Sequence, residues 1–161
     1  MLHDVMHAPR AIFRVRCFDR DGRERWQEEA RNLVVTEGRT NILERYFRGS
    51  SYTASWFLLL KGSGAPAASD TLANHPSWSE LTPYSGNRPA ITWNAASAGQ
   101  IVSQEVSISI NASATVAGAG CCTVASGNSG VLYNVGDFSS ARSVQSGDTL
   151  RVTVTLTVTA A

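Results

Sequence analysis

Two stretches of strict alternation constrain this chain more than any other feature. In Val106-Ser-Ile-Ser-Ile-Asn-Ala-Ser-Ala-Thr-Val116 every even position is apolar and every odd one polar, and Leu150-Arg-Val-Thr-Val-Thr-Leu-Thr-Val-Thr-Ala160 keeps the same parity. A period of two sends neighbouring side chains to opposite faces, so each stretch predicts an antiparallel strand with one buried face and one in water. The N-terminal region repeats the pattern, with Ala11, Phe13, Val15 and Cys17 on one side and Arg14 and Arg16 on the other. Asp19-Arg-Asp-Gly22 supplies turn chemistry, and Arg23 to Ala30 returns as the second arm of a hairpin with Trp26 facing inward.

Further elements follow from local composition. Ser55-Trp-Phe-Leu-Leu-Leu-Lys61 is a continuous apolar run of strand length, which predicts a strand buried on both faces. Trp78–Tyr84, Pro89–Trp93, Gly118–Val124 and Leu132–Val135 read as shorter strands, and Gly62 to Pro76 as a small-residue loop with one helical turn capped by Ser69. One amphipathic helix is expected over about 36–48: Thr36 as N-cap, Glu37 in the first turn, Ile42, Leu43, Tyr46 and Phe47 at helical spacing, and Arg48-Gly49 as the stop. About seven or eight strands with frequent turns predict an all-β fold, a β-sandwich or jelly roll with one short helix and an N-terminal hairpin. A single domain over 1–161 is expected, with an arm and charged hairpin over 1–31 and helix plus sandwich over 32–161.

The formal net charge of +1 hides an asymmetry: residues 1–50 hold 18 of the 27 charged side chains, and 13 of the 14 basic residues are Arg. Near-neutrality argues against direct binding of nucleic acid. No apolar run approaches the ~18–20 residues a membrane helix needs, and the N-terminus lacks a signal-like apolar run, so synthesis in a cytoplasm without membrane insertion is expected. Arg10, Arg14, Arg16, Arg20, Arg23 and Arg25 are interleaved with Asp19, Asp21 and Glu24. They read either as a solvated face laced with ion pairs or as a surface that docks on a complementary protein through bidentate Arg contacts.

Catalytic chemistry finds little to work with. The only histidines are His3, His7 and His75, and Gly127-Asn-Ser-Gly130 reads as a turn rather than a nucleophile loop. Asp70 and His75 would make only a two-ligand metal site, so neither a metal nor another cofactor is expected. Cys121 and Cys122 read as strand residues, one facing the core and one facing out, and Asn111-Ala-Ser113 matches a glycosylation sequon only formally. A hydrolase ranks last; a pocket gathering His75 with Asp70 or Glu80 is the observation that would favour it.

Several segments resemble small virion proteins of tailed bacteriophages: Asn32-Leu-Val-Val-Thr-Glu-Gly-Arg-Thr-Asn-Ile-Leu, Trp56-Phe-Leu-Leu-Leu-Lys-Gly, Ala68-Ser-Asp-Thr-Leu-Ala-Asn-His-Pro-Ser-Trp-Ser-Glu-Leu-Thr-Pro-Tyr, Arg88-Pro-Ala-Ile-Thr-Trp, and Val144-Gln-Ser-Gly-Asp-Thr-Leu-Arg-Val-Thr-Val-Thr-Leu. The resemblance is greatest to capsid decoration, or cement, proteins. It implies a non-enzymatic homo-oligomer, a homodimer or homotrimer, on the outer surface of the phage capsid, bridging subunits of the major capsid protein. On that reading the six arginines form the docking surface, Trp78, Tyr84 and Trp93 are its apolar anchors, and trimming residues 1–30 leaves the sandwich folded. Core filling is the plainer role for the three aromatics. The alternative is a tail-associated or receptor-binding β-module that recognises carbohydrate, with Trp78 or Trp93 stacking on sugar rings.

Overall fold

The computed structural model describes residues 9–49, 51 and 54–158. Nine strands form one antiparallel sheet: β1 (Arg10–Phe18), β2 (Glu24–Val34), β3 (Phe57–Lys61), β4 (Glu80–Leu81), β5 (Gln100–Val102), β6 (Val106–Ser109), β7 (Ala114–Cys122), β8 (Leu132–Val144) and β9 (Thr149–Thr157). The strand order is β4-β3-β7-β8-β2-β1-β9, with β5 and β6 following one another along the remaining edge of β9. The all-β expectation holds, together with the single helical element and the N-terminal hairpin.

The sheet rolls up until its ends meet. Segment 89–94 joins them: Leu58 N–H donates to the Pro89 carbonyl (2.8 Å) and Ile91 N–H to that of Trp56 (2.8 Å). On its other side Asn94 N–H donates to Val102 (3.0 Å) and Gln104 N–H to Thr92 (2.8 Å). The hydrogen-bonded path thus runs from β3 through this segment to the β5–β6 edge and on to β9, which leaves few unpaired edges. Inside lies one continuous core that includes Phe13, Val15, Leu58, Leu60, Ile91, Ile108, Val116, Val152 and Val154.

The alternation over 106–116 proves to span two strands. β6 ends at Ser109, the chain turns a corner at Ile110–Ser113, and β7 begins at Ala114. Ile110 N–H donates to Asp148 and Asn111 N–H to Pro83, so the corner is tied down on both sides. Ala112 is exposed at the corner, and the inward parity resumes with Ala114 and Val116 once the chain has crossed from pairing with β9 to pairing with β8.

The outer face of β3, β7 and β8 carries a second core. Val35, Leu59, Leu72, Trp78, Cys122, Leu132 and Val135 pack there beneath the 62–78 loop and the start of the helix. This corrects the expectation that one of the paired cysteines faces solvent: Cys121 lies in the inner core and Cys122 in the outer one, both buried. Burial raises the pKa of both thiols.

The helix departs from expectation. Helix α1 spans only Thr36–Ile42, and a π-helical turn, Leu43–Phe47, continues it. Val35 occupies the N-cap position without a side-chain cap, and Thr36 is the first helical residue. The wider i→i+5 turn breaks the 3.6-residue periodicity. Ile42 still packs on the core, whereas Leu43, Tyr46 and Phe47 are 56%, 80% and 65% exposed. Glu37 does more than complement a helix dipole, since its Oε2 accepts the N–H groups of Leu72 (3.1 Å) and Leu132 (2.7 Å). Gly38 lets the helix sit on β8: a Cβ there would lie 2.2 Å from the Tyr133 carbonyl oxygen.

The hairpin is not a separable arm. β1 pairs with β2 along one edge and with β9 along the whole of the other, and Ala11, Phe13, Val15 and Cys17 are at most 1% exposed. Its removal would take one wall out of the core, contrary to the expectation that the remainder would stay folded. Phe13→Ala is expected to cost about 3–5 kcal/mol and Gly38→Ala about 1–3 kcal/mol from the forced backbone shift. Urea unfolding monitored by circular dichroism measures both.

Candidate functional site

Antiparallel register decides what the arginines can do. Arg14 sits directly across from Glu29 and pairs with it at 2.8 Å. Arg16 lies opposite Arg151 on β9, a like-charge juxtaposition that Glu105 relieves by pairing with Arg16 at 2.8 Å and Arg151 at 3.8 Å. Both guanidiniums also lie over the Phe18 ring, 5.3 and 4.6 Å from its centroid. Arg20 donates to the Ser146 carbonyl (3.0 Å), Arg23 approaches Asp21 at 3.7 Å, and Arg25 pairs with Asp148. Arg10 is exposed at the start of β1. The hairpin therefore gathers its positive charge on one region and answers most of it internally.

Two of these contacts anchor the fold. Asp148, only 2% exposed, holds the β8–β9 turn by accepting the Gln145 N–H (2.9 Å), while Arg25 balances its charge. Burial, reinforced by the Asp148 carboxylate beside it, pushes the Cys17 thiol up to about 12. Glu28, 6% exposed on β2, takes hydrogen bonds from Ser139 Oγ and Arg142 Nε, both at 2.7 Å. Burial alone would raise the Glu28 pKa, but the Ser139 and Arg142 bonds outweigh it and the net shift is downward.

The chain's single lysine forms a third buried node that the sequence did not flag. Lys61, fully buried at the end of β3, donates to the carbonyls of Gly62 (2.9 Å) and Gly64 and pairs with Asp137 at 2.6 Å. Its ammonium lies 6.0 Å from the centroid of the Trp78 ring. One charge thus ties the start of the long loop to β8.

The three expected aromatic anchors are placed mainly inside. Trp78 is 5% exposed and Tyr84 8%, so neither presents a ring face to a partner or to a sugar. Trp93 is half-buried and packs against the inner core. Asp70, rather than Ser69, organises the 62–78 loop, accepting the Ala67 N–H and the Trp78 Nε1–H, both at 2.8 Å.

A groove of about 500 Å³ opens where three loops converge, lined by apolar residues such as Leu72, Ala73 and Ala125 as well as by His75, Glu80, Asn87, Arg88 and Asn128. His75 stacks on Trp78 with centroids 3.9 Å apart, and its Nδ1 lies 2.9 Å from the Trp78 carbonyl oxygen. Glu80 and Arg88 form a bidentate pair at 2.7 Å in both contacts, and Arg88 Nη1 donates to Val124 (3.1 Å). The groove does bring His75 and Glu80 to one place, the arrangement that would favour a hydrolase. Both Glu80 oxygens are engaged by Arg88, so this carboxylate is tied into an ion pair. Among the described residues no three His, Cys, Asp or Glu side chains gather as a metal site, and no helix is long and apolar enough to cross a membrane.

These features define a class: an all-β module whose strands and loops are tied together by buried ion pairs. Residues 35–159 match the family model of podophage GP4 fiber I protein gp80, and the chain belongs to that family. It is a structural protein of the tailed-phage virion. The match takes in everything from the helix to β9 and leaves the β1–β2 hairpin outside, although that hairpin completes the sheet. No curated protein matches the sequence.

Arg25→Ala strands the buried Asp148 carboxylate and is expected to cost about 2–4 kcal/mol, whereas Arg23→Ala, at a fully solvated pair, should change stability by less than about 0.5 kcal/mol; thermal melts separate the two. Glu28 gives a second expectation. Its folded pKa lies below the unfolded value of 4.5, so its contribution is fully present above that value and is lost as pH falls through the folded one. Glu28→Gln should flatten the acid limb of the stability–pH curve. An unchanged limb would assign acid sensitivity to other carboxylates.

Proposed function

We propose that this chain is a non-enzymatic building block of the virion's tail fibre. The family match across 35–159 carries the reading, because the matched family is a fibre protein and the match spans seven of the nine strands. The internal architecture supports it. Closure of the sheet and the buried Lys61, Glu28 and Asp148 nodes give a stiff unit, which suits a load-bearing appendage.

Its partners on this reading are neighbouring fibre proteins and further copies of itself, as a homodimer or homotrimer, with neither nucleic acid nor membrane among them. Leu43, Tyr46 and Phe47 are the side chains such a contact would bury. Capsid decoration, with the major capsid protein as partner and the outer head surface as location, is the competing reading. The resemblance of the segments between Asn32 and Leu156 to decoration proteins favours it.

Immunogold labelling of purified virions with antibody to the folded chain distinguishes the two. Labelling confined to the tail, with far fewer copies than capsid subunits, is the expected outcome. Labelling spread over the head would overturn the fibre assignment.

A further inference from the structure

We propose that residues 1–8, which precede β1 and lie outside the described residues, dock into the apolar cavity at the end of the rolled sheet where β1 begins. The inference goes beyond the fibre reading and does not rest on it, because it concerns how one chain closes its own core.

Antiparallel pairing brings several chain positions to that end. Ala11, near the start of β1, lies opposite Leu156, near the end of β9, and Ile12 lies opposite Arg31 on the last part of β2. Val34, where β2 ends, faces Asn134 near the start of β8, and Cys122, where β7 ends, is paired with both Leu132 and Phe57, the first residues of β8 and β3. Helix α1 and its π-helical turn follow β2 at this end, and Ile42 packs on the inner core. The plug they make is incomplete. A cavity of about 250 Å³ remains, walled by Ile42, Tyr46, Trp56, Tyr133 and Leu156 together with Asn41 and Arg45.

The walls suit an apolar occupant. Trp56 and Tyr133 meet edge to face, with ring centroids 5.2 Å apart and planes at 77°. Ile42, Trp56 and Leu156 pack on the inner core yet stay only partly buried. Tyr46 is largely exposed and meets only the edge of Phe47, 5.1 Å between centroids, and Val158, two residues beyond Leu156, is exposed as well. Space left open against such walls forfeits dispersion contacts, and apolar side chains exposed in one place mark a contact surface.

The chain itself supplies the occupant. Pro9 is the first described residue, and Ala11 stands about 4.5–5.5 Å from the cavity residue Leu156 across the ladder, so segment 1–8 enters β1 beside a wall of the cavity. At up to ~3.3–3.6 Å per residue, eight residues span far more than that gap. Met1-Leu-His-Asp-Val-Met-His-Ala8 offers Leu2, Val5 and Met6 for the walls, and an unbranched Met adapts to irregular space. Asp4 carries the charge opposite to Arg45 in the wall and to Arg10 at the start of β1. Few residues separate the segment from Ala11, so docking within one chain closes only a short loop and costs little entropy.

The test uses the full chain with His3→Cys, which accepts a nitroxide selectively because Cys17, Cys121 and Cys122 are buried. A nitroxide broadens the NMR signals of nuclei near it. Broadening of the Ile42, Tyr46 and Tyr133 amides and of the Trp56 indole is expected when one chain carries both the nitroxide and the isotope label. A mixture of isotope-labelled chain without nitroxide and nitroxide-bearing chain without isotope should show none. Leu2→Ser, Val5→Ser and Met6→Ser combined should remove the broadening and lower the melting temperature by about 3 °C or more. The proposal is overturned if the cavity signals stay sharp, or if the folded triple-serine variant keeps the broadening. Equal broadening in the mixture also overturns it, since the segment would then dock on a second copy. So do cavity signals that shift with protein concentration but not with the nitroxide, which would give the cavity to another part of a second copy.

Discussion

Strand β1 has a hydrogen-bonded neighbour along both of its edges, and everything else in the molecule depends on that double pairing. Without it β2 and β9 would each present an open edge, and the inward face of Ala11, Phe13, Val15 and Cys17 would be missing from the core. The sheet could not close, because the path from β8 to β9 runs only through the hairpin. A segment that lies outside the family match is thus the segment on which the matched fold rests. Its sequence answers to the packing demand of an inner face, which is why the alternation of small or apolar residues with arginines is so regular.

The arginines follow from the same constraint. Outward positions on a strand between two other strands face neighbours about 4.5–5.5 Å away on either side, so every long charged side chain meets others. Arg14 finds Glu29, and Arg16 and Arg151 share Glu105 above the Phe18 ring. The positive charge of the hairpin is thus answered partly within it, by Glu29, and partly by carboxylates from later in the chain, Glu105 and Asp148. The preference for Arg over Lys fits these geometries, since a planar guanidinium can pair with a carboxylate and stack on a ring together. The one lysine stands where a compact ammonium serves better, converging on two loop carbonyls and a carboxylate in a fully buried site.

What the sequence made legible was whatever one face of one strand determines. The parity of β1 and β9, the Asp19–Gly22 turn and the two-sided burial of β3 all follow from local patterning. What stayed hidden depended on neighbours distant in sequence. The alternation in the sequence runs unbroken through the corner at Ile110–Ser113, where Ala112 is in fact exposed, so periodicity alone cannot see the turn. The outward cysteine of the pair is buried only because a loop some 50 residues earlier folds across it. The helix kept its position but lost its second half to a π turn, and no propensity argument distinguishes Leu43 from Ile42. For the groove, the sequence contained Asn87, Arg88 and Asn128 in plain turn contexts. The hydrogen bonds from Arg88 to the Ala125 and Val124 carbonyls show that two of those turns meet.

Closure of the sheet also explains why the groove lies where it does. Segment 89–94 must reach from β3 to the β5–β6 edge, so the chain entering it from the 82–88 turn is fixed at Pro89, whose carbonyl accepts the Leu58 N–H. Arg88 is the last residue before that anchor, and its guanidinium is held by β4 on one side and by the β7–β8 connection on the other. The three loops are therefore brought together by the need to seal the barrel-like roll. A cleft at the seam is the consequence, lined by apolar and polar side chains together. The loops at the point of closure are held by hydrogen bonds to one another and to the same strands that the closure joins.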